Sequence, residues 1–168
     1  MKCVTVAATL RLYFHDCMTG GYNKSILIDS TSDNQAENKH EDNISVPGDA
    51  FYIIFRIKTA LEMICRGVVS CADVLTAATR NLVVIVGGTH YPVHLGRKDG
   101  LFSNASHVTG SLPHEGMNVD QMIEYFEHRG FGTQEMVVLL GAHTIGFASC
   151  KKFSKRLFKF SAEGAGFW

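Results

Sequence analysis

In Arg11-Leu12-Tyr13-Phe14-His15-Asp16-Cys17 an arginine and a histidine stand four residues apart, so a helix through this run sets both on one face. A permanent cation and a group that titrates near neutrality can then act on one small polar molecule. Around that run, Val6, Leu10 and Phe14 recur at helical spacing, which predicts a helix over Val4–Cys17 ended by Gly20 and Gly21. Far downstream, Glu135-Met136-Val137-Val138-Leu139-Leu140-Gly141-Ala142-His143-Thr144-Ile145-Gly146 predicts a short apolar helix, capped by Thr133, that ends on a second histidine. Two histidines so placed point to a cofactor between them. Taken singly, each reads more readily as a core histidine with a satisfied hydrogen bond.

Between these segments the pattern stays helical. Asp29 to Asp49 is polar and aperiodic, a loop that wraps a site. Phe51, Ile54, Phe55, Ile57, Leu61 and Ile64 restore the helical period up to Gly67. Ser70 with Asp73 marks a capping-box start to a helix that runs toward Val86 and stops at Gly87-Gly88. Thr89 to Met117 is irregular, with a short strand over Tyr91 to Leu95. Asn118 with Gln121 repeats the capping device ahead of the stripe Val119, Met122, Ile123 and Phe126. The fold class is all-α, with a domain boundary near Ser106.

The chain has 168 residues, 46% of them hydrophobic, with 16 basic and 16 acidic side chains. That length supports one ordinary core, and the balanced charge carries no bias toward nucleic acid. No apolar run approaches the ~18 residues of a membrane span, and Leu82 to Val86 is a buried segment at most. Small molecules are the expected partners, with no nucleic acid and no membrane. Lys2 and the run Cys3 to Leu10 superficially look like an export signal, but the run meets Arg11 at once and is read as mature structure. Five cysteines is an odd count, which leaves at least one thiol unpaired in an oxidising compartment.

Val6 to Cys17 and Glu135 to Ile145 resemble the two signature segments of plant haem peroxidases. Ser25-Ile26-Leu27-Ile28-Asp29-Ser30, Val69-Ser70-Cys71-Ala72-Asp73-Val74-Leu75, Val86-Gly87-Gly88, His94-Leu95-Gly96-Arg97-Lys98-Asp99-Gly100 and Ser111-Leu112-Pro113 resemble further segments of the secretory (class III) group, in the family's order. The resemblance runs from about Val6 to Phe160. It implies a haem-peroxidase-like helical fold with residues 1–105 as the distal domain and 106–160 as the start of an incomplete proximal one. Residues 161–168 are an unmatched tail. The family's leader and first helix have no counterpart here, and the expected localisation, secreted or vacuolar, comes from the resemblance alone.

The resemblance also assigns roles. His15 would be the base that moves a proton between the two oxygens of hydrogen peroxide, Arg11 would stabilise the charge that develops, and Asn43 would fix the other nitrogen of His15. Read without the family, Asn43 is a loop turn residue. Ile44 to Ala50 carries an apparent one-residue insertion and departs from the family's pattern, keeping Phe51. His143 would be the axial ligand of haem b, with Met136, Leu139 and Leu140 packing its helix and Phe14 beside the cofactor. Asp16, Asn23, Ser25 and Glu37, with the carbonyls of Thr19 and Gly21, resemble a distal calcium site. Asn23 stands where the family has an aspartate, which lowers the expected affinity, and the alternative for these acids is a solvated loop. Thr144 matches a proximal calcium position, and Pro113 lies where small phenolic or aromatic reductants reach the haem edge.

The family's disulfides would join Cys17 to the position of Tyr22, and Cys65, Cys71 and Cys150 to cysteines outside this sequence; Cys3 is extra. With one lost bridge costing about 2 to 5 kcal/mol against a total of about 5 to 15, the expectation is a marginally stable monomer. The function expected is hydrogen peroxide reduction coupled to one-electron oxidation of small donors, in hydrogen peroxide catabolism and oxidative stress. The alternative is a non-catalytic remnant that no longer holds haem. A zinc hydrolase fits poorly, because neither HExxH nor paired CxxC occurs.

Overall fold

The computed structural model describes residues 3–21 and 23–158. Tyr22 and the tail 161–168 lie outside the described residues. The described residues form six α-helices: α1 Cys3–Gly20, α2 Gly48–Ile64, α3 Cys71–Ile85, α4 Val119–Glu127, α5 Thr133–Ala142 and α6 Cys150–Phe158. Short 3-10 turns lie at Ser25–Leu27, Glu37–Lys39 and Ala105–His107. No strand occurs among the described residues, so the fold is all-α and Tyr91 to Leu95 is extended chain without a pairing partner. No described helix is long and apolar enough to cross a membrane.

The chain divides into two compact units between Leu112 and Pro113. Ala105–His107, where the sequence pattern sets its boundary, is held inside the first unit, with the Ala105 amide donating to the carbonyl of Gln35 (2.8 Å). In this unit α1, α2 and α3 pack on one another around Ala8, Leu12, Ile26, Val46, Ala50, Ile54, Val74, Leu75 and Ala78. The sequence stripe of α1 is one-sided, whereas the helix is buried on most sides: Val6 and Phe14 are covered, and so are Ala8, Thr9, Leu12 and Met18. In α2 only part of the apolar set turns inward. Ala50 and Ile54 are buried, while Phe55 and Ile64 are exposed.

Helix ends follow local chemistry, with two departures from expectation. Gly21 ends α1 at φ +74°, a conformation that costs glycine little, with its amide on the Cys17 carbonyl. Ser70 caps α3 by accepting from the Asp73 amide (3.1 Å). The Asp73 carboxylate, however, accepts from the amides of Gly96 (2.7 Å) and Arg97 (3.2 Å). Asp99 in turn accepts from the first amides of α3, those of Cys71 and Ala72, both at 3.0 Å. The Leu95–Gly100 chain is thereby clamped across the helix N-terminus, where four amides lack intrahelical partners.

In the second unit Asn118 and Gln121 form the full reciprocal capping box of α4 (2.9 and 3.0 Å). Phe126 and Tyr125 are buried there, whereas Val119 is exposed. Thr133 is not the cap of α5. Gly132 precedes the helix, and Glu135 reaches back to its amide (2.7 Å). Among the described residues Cys17 is half-buried, Cys65 and Cys71 are half-buried free thiols and Cys150 is an exposed one.

Candidate functional site

His15 is buried in α1, with Phe14 edge-on to its ring at 6.2 Å. Its Nδ1 lies 2.5 Å from Oδ1 of Asn43. The amide of Asn43 is oriented by its other end, because Nδ2 donates to the carbonyl oxygen of Glu37 (2.8 Å). With Oδ1 thus facing the ring, Nδ1 of His15 must carry the proton and donate, which leaves the lone pair on Nε2. The opposite side of the ring agrees: Nε of Arg11 donates to His15 Nε2 at 3.2 Å. Asn43 is 1% exposed, too deeply placed for a solvent-facing turn residue.

Arg11 is held from outside the helix, its terminal nitrogen donating to the Asp42 carbonyl and to Ser45 Oγ, both at 2.9 Å. Partial burial lowers the pKa of its guanidinium and the nearby Asp42 carboxylate raises it, with burial the larger effect. Asp42 and Ser45 give no sign in the sequence beyond lying in a polar loop.

One turn along α1 a set of oxygens converges. Asp16 is buried; one carboxylate oxygen accepts from the Lys24 amide (3.0 Å), and the other has no hydrogen-bond partner. Burial pushes its carboxyl up to about 6, with the charges of Glu37 and Asp99 adding to the rise. Glu37, also buried, accepts from Ser25 Oγ (2.9 Å) and Thr19 Oγ1 (3.4 Å), and burial raises its pKa as well. Thr19 Oγ1 also donates to the His15 carbonyl (2.8 Å). Asn23 Oδ1 accepts from the Ser25 amide (3.0 Å). A methyl group added at Gly20 would come within 2.8 Å of Asn23 Oδ1 and 2.9 Å of Ser25 Oγ, so that corner requires glycine. Gly21 is exposed at the rim.

A solvated loop does not bury two carboxylates and leave one oxygen without a partner. No group of three or more His, Cys, Asp or Glu side chains is placed to hold a metal among the described residues. The donors gathered here are instead two carboxylates, a hydroxyl and an amide oxygen, a set that suits a hard cation. Ser103, buried and absent from the sequence pattern, anchors this corner by accepting from the Glu37 amide (3.0 Å).

In the second unit His143 follows the last turn of α5 and is exposed, so it is not a core histidine. Its Nδ1 lies 2.7 Å from the Leu139 carbonyl, which can only accept, so Nδ1 carries the proton and Nε2 the lone pair. Met136 is buried, and Leu139 and Leu140 are half-buried. Thr144 is exposed, its hydroxyl on the Gly141 carbonyl (2.8 Å), and Pro113 is a half-buried residue outside the helices.

The all-helical chain buries an imidazole protonated on Nδ1 beside a guanidinium, the two groups that acid–base chemistry on a small polar molecule requires. A family model described as Peroxidase matches residues 2–166. Peroxidase 41 of Arabidopsis thaliana is 54% identical over 154 residues, which is 92% of this chain and 47% of that protein. Peroxidase 65 of the same plant is 53% identical over 159 residues (95% and 48%), and its Peroxidase 51 is 48% identical over 159 residues (94% and 48%). The chain belongs to the peroxidase family, and it spans about half the length of the curated relatives it matches.

Proposed function

We propose that this chain carries the distal site and the axial histidine of a haem peroxidase that reduces hydrogen peroxide at the expense of small phenolic or aromatic donors. The observation that carries this reading is the amide of Asn43, which leaves His15 with an unprotonated Nε2 that accepts from Arg11. Hydrogen peroxide entering there replaces the Arg11–His15 hydrogen bond. His15 Nε2 takes the proton of the nearer oxygen and returns it to the farther one, which leaves as water. Arg11 stabilises the negative charge on that departing oxygen.

Haem b, when bound, would supply the redox-active iron and with it the two electrons that cleavage of the O–O bond requires. His143 has the right chemistry to hold it, since its proton sits on Nδ1 and its lone pair on Nε2. Phe14, packed beside His15, is positioned to line the distal side, and Pro113 belongs to the donor entrance. Residues 1–105 form the distal domain in this reading and 106–160 the start of the proximal one. The oxygens of Asp16, Thr19, Gly21, Asn23, Ser25 and Glu37 hold calcium, and Thr144 belongs to a second such site. The protein acts in hydrogen peroxide catabolism and oxidative stress, in the secreted or vacuolar setting of its group.

The test is addition of haem to the purified chain, followed by its Soret band and by peroxide-dependent oxidation of a phenol. A stoichiometric Soret shift that His143→Ala abolishes is expected. Absence of any specific shift would refute the proposal and leave a remnant that does not hold haem.

A further inference from the structure

We propose that Ser45 is a positioning residue for the peroxide reaction: together with the carbonyl of Asp42 it anchors Arg11 while the bond between Arg11 and His15 gives way to the substrate. The proposal rests on the peroxidase reading above. Ser45 lies in Ile44 to Ala50, the stretch that departs from the family's pattern, so the resemblance assigns it no role. Three hydrogen bonds hold the guanidinium among the described residues: Nε donates to His15 Nε2 (3.2 Å), and Nη2 donates to the Asp42 carbonyl and to Ser45 Oγ (2.9 Å each). Peroxide replaces the first of these and leaves the other two.

Both remaining acceptors come from one turn. The amides of Asn43 and Ile44 share the His40 carbonyl, and the Val46 amide closes on the Asn43 carbonyl, all at 2.9 Å. From this turn Asn43 reaches His15 and Ser45 reaches Arg11, which fixes the base and the cation relative to each other. Both acceptors are also neutral. Asp42 meets Arg11 through its main chain, and its carboxylate stands 3.5 Å from His40 Nδ1. The Ser45 hydroxyl therefore places the guanidinium without cancelling the positive charge that the departing oxygen requires, whereas a carboxylate at position 45 would both place it and pair it.

The experiment compares the natural chain with Ser45→Ala, Ser45→Thr and Ser45→Asp by two readouts. Position 45 is exposed, so these side chains fit without repacking. In the haem-free chain, side-chain nitrogen NMR follows rotation of the Arg11 guanidinium about its Nε–Cζ bond. Separate Nη signals are expected in the natural chain, Ser45→Thr and Ser45→Asp, and exchange-broadened ones in Ser45→Ala. In the haem-loaded chain, stopped flow with peroxide should show Ser45→Ala slower by roughly tenfold, Ser45→Thr close to the natural rate, and Ser45→Asp slow although its Arg11 is held. A natural rate in Ser45→Asp would overturn the need for a neutral acceptor. A rate or an Arg11 signal unchanged in Ser45→Ala, or equal losses in Ser45→Ala and Ser45→Thr, would overturn the role of Ser45 while leaving the peroxidase reading standing. Absence of a Soret shift in the natural chain would refute that reading and this proposal with it.

Discussion

Without calcium, the first unit should lose stability as pH rises from 4 to 7, and Asp16 should be the cause. Its carboxyl is pushed from 3.8 up to about 6, chiefly by burial. The folded chain therefore holds a proton at Asp16 between these values that the unfolded chain has already released. Stability contributed by the protonated form is complete below the unfolded value and is lost as pH climbs through the folded one. A rise from 3.8 to about 6 corresponds to roughly 3 kcal/mol, of which about 2.5 falls between pH 4 and 7. In a chain of this size that is a melting shift of roughly 5 to 10 °C.

Asp16→Asn isolates the effect, since the amide keeps an acceptor for Lys24 and has no proton to lose. Melting both proteins in EDTA across this range should show the variant gaining on the natural chain as pH rises. Burial raises Glu37 in the same direction, while the Lys58 partner lowers Glu62. Glu62 is common to both proteins and cancels in the difference, whereas Glu37 interacts with the Asp16 charge and its change belongs to the measured difference. Parallel stability curves for the two proteins would refute the assignment of a carboxyl at position 16 that burial holds protonated above its ordinary range.

The other expectations concern the base, its support and the clamp on α3. His15→Ala should lower the rate of reaction with peroxide by roughly two to four orders of magnitude, measured by stopped flow on the haem-loaded chain, with haem retention little changed. Asn43→Ala should cost about 1 to 3 kcal/mol in chemical denaturation, because it leaves the Glu37 carbonyl and His15 Nδ1 without buried partners, and should also slow the peroxide step. Asp99→Ala should cost about 0.5 to 2 kcal/mol, since two amides at the start of α3 lose their acceptor; Asp99→Asn should recover part of it. Unchanged denaturation midpoints in Asp99→Ala would mean that water replaces the clamp.

Where a pattern is local, the sequence shows it. The capping box of α4 needs only Asn118 and Gln121, three residues apart, and the break after α1 needs only consecutive glycines. Asp73 shows the limit. By spacing it belongs to a capping box with Ser70, yet its carboxylate serves Gly96 and Arg97, more than twenty residues on. Nothing local distinguishes these two uses. The same holds for Phe55 and Ile64, which fit the period of α2 but lie on the side its neighbours do not cover. Periodicity fixes the helix, and packing chooses the face.

The site divides along the same line. Arg11 and His15 are four residues apart on α1, and their approach follows from helix geometry alone. Asn43 meets His15 from a polar loop 28 residues further along the chain, and by composition that asparagine is as good a turn residue as an orienting one. Burial of the 3-10 turn beginning at Glu37 decides between them. Ala36 and Val46 sink into the first unit, Ser103 ties the Glu37 amide, and the Glu37 carbonyl is thereby aimed at Asn43 Nδ2. The carboxylate of the same residue turns the other way, to Ser25 and Thr19. One glutamate thus belongs to two sites, through its main chain to the asparagine that orients His15 and through its side chain to the hydroxyls of Ser25 and Thr19. A sequence pattern registers side chains, so it assigns Glu37 to the second site and is blind to the first.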